Sequence, residues 1–286
     1  MAVESAAAYR VILPRARRRR TRIGRWYRRN ERAVLGLSGL VGFFVLWEVG
    51  AAAGWIDPFF FASPTLVVQA AIREVQVSHF WSDVQYSLTE VIVGFLASFF
   101  LAVPLGLLIG WYRRVSYALD PWLNFINAIP RPALIPIVVL WFGLDIQMKI
   151  VIVFIGGFFS IILPTVEGVR TCEQSLLDVA HSFRASRSRL FTSVVIPSTV
   201  PFIATGVRLA LGRLLIGVVV AELYAQTQGI GVIIDRAADT LQSDLMMFAV
   251  LIFTLMGVLT TEAAGRIERH FQRWRPSANV DVEEVV

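Results

Sequence analysis

The residues best suited to chemistry lie in a polar segment, 175–201, with strongly apolar sequence on both sides. Its ionisable side chains include Asp178, His181, Arg184, Arg187 and Arg189. Its apolar residues recur at helical spacing, at Leu176, Ala180, Phe183, Leu190 and Val194. Such a segment buries one face and leaves a charged face that can form ion pairs and hydrogen bonds with a partner. The spacing of Ser175 and Asp178 also predicts a helix that starts at Ser175 with a capping box.

Residues that could form a catalytic centre or a metal site do not cluster in the sequence. The single Cys172 excludes an intrachain disulfide. The histidines, at 79, 181 and 270, are too scattered to form a metal cluster. No Ser-His-Asp or Cys-His arrangement is present. We therefore predict no catalytic residue, no metal ligand and no cofactor bound by this chain.

Nucleotide hydrolysis is also excluded from this chain. A P-loop needs a lysine that follows a pair of glycines at fixed spacing. The only lysine, Lys149, stands between Met148 and Ile150 with no such glycines before it. The Gly229-Ile-Gly231 pair lacks the third glycine and the preceding strand of a dinucleotide-binding fingerprint.

The elements that must position the polar segment are membrane helices. A chain with 56% apolar residues, 17% charged residues and a mean hydropathy of +0.64 is not an ordinary soluble protein. Crossing a bilayer takes about 20 apolar residues, and in lipid an open chain satisfies its backbone only as helix. The fold class is therefore all-α, a polytopic bundle of about six transmembrane helices. The predicted spans are 33–55, 86–111, 118–143, 148–168, 201–224 and 245–265.

Charge placement predicts which side of the membrane each connection faces. If the N-terminus is inside, the cytoplasmic segments hold 21 basic residues and the outer segments hold three. This partition follows the positive-inside rule. It predicts a multi-pass membrane protein with an even number of spans, and with both termini and the 175–201 segment in the cytoplasm.

The chain divides into a membrane domain and two polar tails. Residues 1–32 form a basic tail that we interpret as a topology determinant lying on anionic lipid, rather than a nucleic-acid-binding arm. Cleavage of a secretory signal near Ala51–Ala53 is an alternative, but the basic lead and the apolar run are both too long for one. Residues 33–268 form the membrane domain, and 269–286 form a cytoplasmic tail. The segment 56–85 is predicted to be an outer linker with a turn signal around Pro64.

The polar segment resembles the cytoplasmic coupling loop of permease subunits of binding-protein-dependent ABC importers. That family has an acidic residue followed by two alanines, a glycine a few residues on, and an aliphatic-Pro pair. Here the pattern reads Asp178-Val-Ala180, then Arg184 at the glycine position, then Ile196-Pro197. Because the family's glycine often has positive φ, Arg184 is expected to fit only if the turn is less sharp. The resemblance assigns coupling to Asp178, Ala180, Phe183, Arg184, Ala185, Ser186, Arg187 and Pro197.

The resemblance extends from about Phe43 to Arg275. It includes Pro104-Leu-Gly106, Pro130-Arg-Pro132 through Trp141-Phe-Gly143, and Ala221-Glu222 with Gly229-Ile-Gly231. The pattern is most similar to the nitrate, sulfonate, taurine and bicarbonate importers, with a type I importer fold. Membership implies two copies of the permease in the lipid bilayer of a prokaryotic plasma (cytoplasmic) membrane, cytoplasmic ATP-binding subunits and an extracytoplasmic solute-binding protein. The transported solute is then expected to be a small anion.

Ionisable residues inside the predicted spans are candidates for the translocation path, because an unpaired charge in the membrane is costly. The candidates are Arg131, Glu48, Arg208, Arg213 and Glu222. Arg131 is the strongest, because the prolines around it break a span, and broken backbone is tolerated only beside protein or a water-lined cavity. Glu222 and Glu90 are expected near span ends, where they can reach water.

Two other classes of protein fit part of the pattern. An ion-coupled secondary transporter would use Glu48, Glu90 or Glu222 as a proton relay and would need no partner. An intramembrane enzyme would need a catalytic dyad or a metal set, and the sequence offers neither. A permease driven by a separate ATPase remains the leading prediction.

Overall fold

The computed structural model describes residues 22–272, which are almost entirely helical. The chain divides into two compact units after Trp55. The helices are α1 (Arg22–Ala52), α2 (Pro64–Val75), α3 (Phe80–Trp111), α4 (Arg113–Ala128), α5 (Ile135–Phe142), α6 (Ile146–Arg170), α7 (Gln174–Ser182), α8 (Arg187–Leu190), α9 (Ile196–Ala225), α10 (Ile230–Asp239) and α11 (Ser243–Gln272). A 3₁₀ turn, Arg131–Leu134, precedes α5, and a π-helical turn, Phe191–Val195, joins α8 to α9.

The first unit contains α1, whose apolar part, Val34–Ala52, is long enough to cross a membrane. The helix is kinked at Asn30, where φ is −114° and ψ is 15°. The predicted basic tail, 1–32, lies mostly outside the described residues, although α1 already begins at Arg22. The predicted C-terminal tail begins within α11, and residues 273–286 are not described.

Four further helical segments of the described chain are long and apolar enough to span a bilayer. They are Phe80–Trp111, Ile146–Arg170, Arg187–Ala225 and Ser243–Arg266. A sixth candidate is the bent pair Arg113–Ala128 and Arg131–Phe142, whose two arms meet at 94°. The fold class of about six membrane helices is therefore confirmed. Some helices are longer than the apolar stretches that predicted them. Helix α3 and the continuous helical segment Arg187–Ala225 both extend into polar sequence.

Small residues let α3 and α6 pack side by side in parallel. A Cβ atom built on Gly94 would lie 2.5 Å from Val153 Cγ1, and one built on Gly106 would lie 2.8 Å from Thr165 Cβ. Ser98 Oγ between them donates to the Phe154 carbonyl at 2.9 Å. Both helices advance together along these contacts, so they run in the same direction. Close approach through small residues is the usual way for membrane helices to gain packing energy.

The parallel pair explains the broken third span. Because α3 and α6 run in the same direction, the end of α3 and the start of α6 lie at opposite ends of the bundle. The chain between them, α4 and α5, must therefore return across the bundle. Pro130 caps the 3₁₀ turn at the bend and Pro132 lies within it, while Pro136 lies in the first turn of α5, where a missing N–H costs nothing. The prediction of a proline-broken span is confirmed.

Helices α9 and α11 complete the bundle, and its two ends differ in charge. Gly206 of α9 packs on Ile161 and Gly217 on Val153, so α9 runs antiparallel to α6. One end carries the α3–α4 junction and the 175–201 segment, and the other carries α2, α10 and the start of α6. The basic residues at the first end include Arg113, Arg114, Arg170, Arg184, Arg187, Arg189 and Arg266. The described part of the fold thus separates charge between its ends as the sequence predicted.

The sequence did not predict the two short helices, α2 and α10, at the opposite end. The turn signal around Pro64 proves to be a helix start: Ser63 is the N-cap, and its Oγ accepts from the Leu66 N–H at 3.4 Å. Arg73 of α2 pairs with Asp244 at 2.5 Å. Glu74 of the same helix accepts a hydrogen bond from Arg236 of α10. These ion pairs connect α2, α10 and α11 at that end of the bundle.

Candidate functional site

The predicted coupling loop (175–201) begins on α7, whose N-cap lies two residues before the Ser175 that the capping box predicted. Glu173 is the N-cap of α7, and Ser175 Oγ donates to Glu173 Oε1 at 2.6 Å, so the prediction that Ser175 starts the helix is wrong. Asp178 instead lies in the middle of α7, where Gln174 Nε2 donates to its Oδ1 at 3.1 Å. Its side chain is exposed. Asp178 is therefore displayed on the helix surface rather than used as a cap.

The apolar residues of α7 form two faces rather than one stripe. Leu177 and Ala180 pack toward the bundle against Val169, Leu190 and Val195. Leu176, Val179 and Phe183 are 44%, 56% and 83% exposed, and their spacing puts them side by side on the exposed surface of the helix. The predicted stripe is correct for Ala180 and Leu190 and wrong for Leu176 and Phe183, which do not enter the core. Exposed apolar side chains grouped on one helix are typical of surfaces that bind another protein.

Arg184 lies at the sharp turn that follows α7. Its φ is +51°, the left-handed conformation that favours glycine. The Arg184 N–H donates to the His181 carbonyl at 2.8 Å, and the Ala185 N–H donates to the Ala180 carbonyl at 3.1 Å. These two bonds make a Schellman motif. The expectation that the turn relaxes around Arg184 is wrong, because the glycine-type turn forms with arginine in it.

We expect Arg184→Gly to raise the free energy of unfolding by about 0.5–1 kcal/mol. Left-handed backbone costs about 1–2 kcal/mol for a residue with Cβ, and part of the gain is offset by the greater freedom of glycine in the unfolded chain. Thermal unfolding of the detergent-solubilised protein measures the change. Arg184→Ala is the control, since it removes the side chain and keeps the strain. Equal stability of the glycine and alanine variants would contradict this account.

The second half of the coupling loop continues without a break into a membrane helix. Ser186 is the N-cap of α8, and its Oγ accepts from the Arg189 N–H at 3.4 Å. Arg187 starts a helical run of 39 residues that ends at Ala225. Pro197 lies inside this run, directly after the π-helical turn Phe191–Val195, and cannot donate a backbone hydrogen bond there. The end of the segment and the membrane helix α9 therefore form one continuous helical element.

Two of the path candidates, Arg131 and Arg213, meet at one cavity. The cavity has a volume of about 260 Å³ and lies between the α4–α5 bend, α6 and α9. Arg213 Nη1 donates to Ser160 Oγ at 3.4 Å, and the charges of the two arginines repel each other. Pro132, Ile135, Ile152, Ile216 and Val220 supply apolar walls.

The other path candidates lie elsewhere. Arg208 pairs with Glu268 of α11 at 3.1 Å, and Thr205 Oγ1 donates to the same carboxylate at 3.1 Å. Glu48 belongs to α1 in the first unit, where it is half-buried. Glu222 is 0% exposed in the second unit, so the expectation that it reaches water is wrong. Whether these residues line a path stays a prediction.

Glu222 is held in a buried ionic cluster that the sequence did not predict. Ser87 Oγ donates to its Oε1 at 2.5 Å, and the Gly231 N–H donates to its Oε2 at 2.6 Å. A Cβ built on Gly229 would lie 2.2 Å from Glu222 Oε1, and one on Gly231 would lie 2.7 Å from Glu222 Cβ. The two glycines therefore make room for the carboxylate, which explains why this glycine pair follows the helix that carries it.

Lys149 and Glu90 complete the ionic cluster. The Lys149 ammonium is 3.2 Å from Glu90 Oε1 and donates to the Gln228 carbonyl. Lys149 is 1% exposed and Glu90 is 0% exposed. The cluster joins α3, α6, α9 and the turn before α10 at the end opposite the coupling loop. Its signals in the sequence are a lone lysine at the start of an apolar span and two glutamates inside other spans, and no local spacing connects them.

The described fold is that of the transmembrane subunits of type I ABC importers. A membrane chain of the MetNI methionine ABC transporter, in an inward-facing conformation, matches with a TM-score of 0.56 at 17% identity, covering 68% of this chain and 96% of that one. A chain of a bacterial ABC transporter that imports alginate matches with a TM-score of 0.59 at 16% identity, covering 87% of this chain and 99% of that one.

The chain belongs to the family of binding-protein-dependent transport system inner membrane components, which it matches over residues 102–275. A putative aliphatic sulfonates transport permease protein, SsuC of Escherichia coli, is 33% identical over 83% of this chain and 90% of the relative. The taurine transport system permease protein TauC of the same species is 25% identical over 86% of this chain and 91% of the relative. The predicted resemblance to sulfonate and taurine permeases is confirmed.

Proposed function

We propose that this permease forms the translocation path of an importer whose ATP is bound and hydrolysed by separate cytoplasmic subunits. The observation that carries the proposal is the exposed apolar face of α7, formed by Leu176, Val179 and Phe183 beside Asp178. A soluble partner that covers this face would bury three large apolar side chains and pair with one carboxylate. An ATPase subunit is the partner that the family description implies.

The coupling loop would transmit the ATPase cycle to the membrane helices. Two copies of the chain would each contribute one loop, and nucleotide-driven closure of the ATPase pair would draw the loops together. Because α8 continues into α9, the motion would tilt α9 and the residues along it. The bundle would then alternate between inward- and outward-facing states, each favoured by a different partner. This mechanism places the coupling loop and both termini in the cytoplasm.

The solute would be a small anion delivered by an extracytoplasmic binding protein. The relatives are described as sulfonate and taurine permeases, and both descriptions name sulfonated compounds. The arginine-lined cavity, without a carboxylate in its lining, supports an anion rather than a cation. Nitrate remains a further candidate of the same charge.

The alternative of an ion-coupled carrier is not favoured. A proton relay needs carboxylates that reach a water-filled route. Glu90 and Glu222 are instead fully buried, beside Lys149, Ser87 and the Gly231 N–H. Their arrangement supports a structural role at one end of the bundle.

The proposal is tested by expressing the tagged chain from its native operon, purifying it in mild detergent and identifying the proteins that accompany it. We expect an ATPase subunit in equal amount. Reconstituted with its binding protein, the complex should take up radiolabelled taurine or nitrate only when ATP is present, and a protonophore should have no effect. Uptake by the chain alone, without ATP, would overturn the proposal.

A further inference from the structure

The cavity between Arg131 and Arg213 combines two cations with apolar walls. Its volume of about 260 Å³ is slightly below the range of ~300–1,000 Å³ that drug-sized ligands occupy. Ile152, Ile216 and Val220 line its apolar side. Gly156 also lines the cavity, and a Cβ built on it would lie in ordinary contact, 3.9 Å from Arg131 Nη1. The space fits one small molecule with a polar head and a short apolar tail.

The two guanidinium groups have no acidic partner among the described residues. Each ion pair of the described chain involves other basic residues, and the cavity lining holds no carboxylate. The contrast with Arg208 is direct, because Arg208 on the same helix is paired with Glu268. Two neighbouring positive charges without a counter-ion attract an anion into the space between them.

The depth of the cavity favours surroundings of water rather than lipid. Arg213 lies 12 residues before the end of α9 at Ala225, which is about 18 Å along the helix. This is near the middle of a hydrocarbon core of about 30 Å. An exposed, unpaired arginine at that depth is tolerated where it lines a hydrated cavity and is costly against lipid. The arginine pair therefore belongs to the aqueous route.

We propose that Arg131 and Arg213 form an anion-binding subsite inside the permease, which holds the oxyanion head of a small organic anion while its short alkyl tail lies against Ile152, Ile216 and Val220. This inference rests on the proposed function. It adds a second site that selects the solute, after the binding protein. Planar guanidinium groups bind oxyanions through paired hydrogen bonds. An alkyl sulfonate uses both the arginines and the apolar wall, whereas nitrate uses the arginines alone.

Calorimetric titration of the purified complex of permease and ATPase subunits, without the binding protein, tests the subsite. The probe is butane-1-sulfonate, and butane-1-sulfonamide is its neutral counterpart of nearly the same shape. We expect the sulfonate to bind and the sulfonamide to bind at least ~10-fold more weakly, because it lacks the charge that the arginines recognise. Equal affinity for the two compounds, or no binding of the sulfonate, would overturn the subsite.

Variants of the arginines locate the binding. Arg131→Gln and Arg213→Gln should each weaken sulfonate binding by ~10–100-fold, as expected for loss of a charged hydrogen bond. Arg131→Lys keeps the charge but loses the paired geometry, so it should lie between wild type and Arg131→Gln. Arg266→Gln is the control, since it removes an exposed arginine outside the cavity and should leave the affinity unchanged. Wild-type affinity in both cavity variants would overturn the proposal.

ATP-driven uptake with the binding protein separates this inference from the proposed function. If wild type and both cavity variants transport at the same rate with the same sulfonate affinity, the subsite is wrong and the importer mechanism stands. If wild type shows no ATP-dependent uptake, the importer mechanism itself is wrong. We expect wild type to transport and the cavity variants to need at least ~10-fold more solute for the same rate.

Discussion

Lys149→Met is expected to destabilise the folded permease by about 3–5 kcal/mol, the range found when one partner of a buried ion pair is removed. Methionine fits the volume of the lysine stem, so the loss comes from charge rather than packing. The replacement leaves Glu90 without its ammonium partner and the Gln228 carbonyl without its donor. Lys149 and Glu90 are each no more than 1% exposed, so water cannot replace the lost partner of Glu90. Thermal unfolding in detergent, followed by tryptophan fluorescence, measures the effect.

A double variant separates charge balance from packing in this cluster. Lys149→Met combined with Glu90→Gln removes both members of the pair, while Ser87 and the Gly231 N–H still satisfy Glu222. We expect the double variant to regain at least half of the stability lost in Lys149→Met, because no uncompensated carboxylate remains at Glu90. If the stability lost in the double variant equals the sum of the losses in Lys149→Met and Glu90→Gln, the ionic contact does not stabilise the bundle.

The sequence predicted the membrane helices well because their signal is local. Each apolar run is long enough to identify a span by itself, and Pro130 and Pro132 mark the bend in the third span. The placement of the arginines predicted which connections lie at the same end of the bundle, because it too can be seen directly in the sequence. Short helices such as α2 were missed because a cap residue next to a proline, Ser63-Pro64, looks the same at a turn and at a helix start.

The ionic cluster and the cation cavity could not be predicted from local pattern. Ser87 and Glu222 are separated by 135 residues, and only the packing of α3 against α9 brings them together. Arg131 and Arg213 were both candidates, but no spacing rule indicates that a bend and a helix midpoint share a cavity. Periodicity also cannot tell which apolar face of α7 meets the bundle, so Phe183 was assigned to the buried stripe.

Phe183→Ala should abolish most coupling to the ATPase without changing the stability of the permease. The ring is 83% exposed, so its removal should alter the free energy of unfolding by no more than about 0.5 kcal/mol. In the assembled importer the same ring would be a central aromatic anchor, whose loss costs about 2–4 kcal/mol of binding. The amount of ATPase that copurifies, and ATP-dependent uptake per permease, should therefore fall by at least ~30-fold.

Leu190→Ala provides the matched contrast from the buried side of the same loop. Leu190 is 4% exposed and packs with Val169 and Val195, so its truncation should lower the free energy of unfolding by about 2–4 kcal/mol. Phe183→Leu should retain part of the coupling, since it keeps an apolar side chain on the exposed face. If Phe183→Ala copurifies with a full amount of ATPase and transports normally, α7 is not the docking helix. If it loses coupling and stability together, the ring supports the fold rather than the partner.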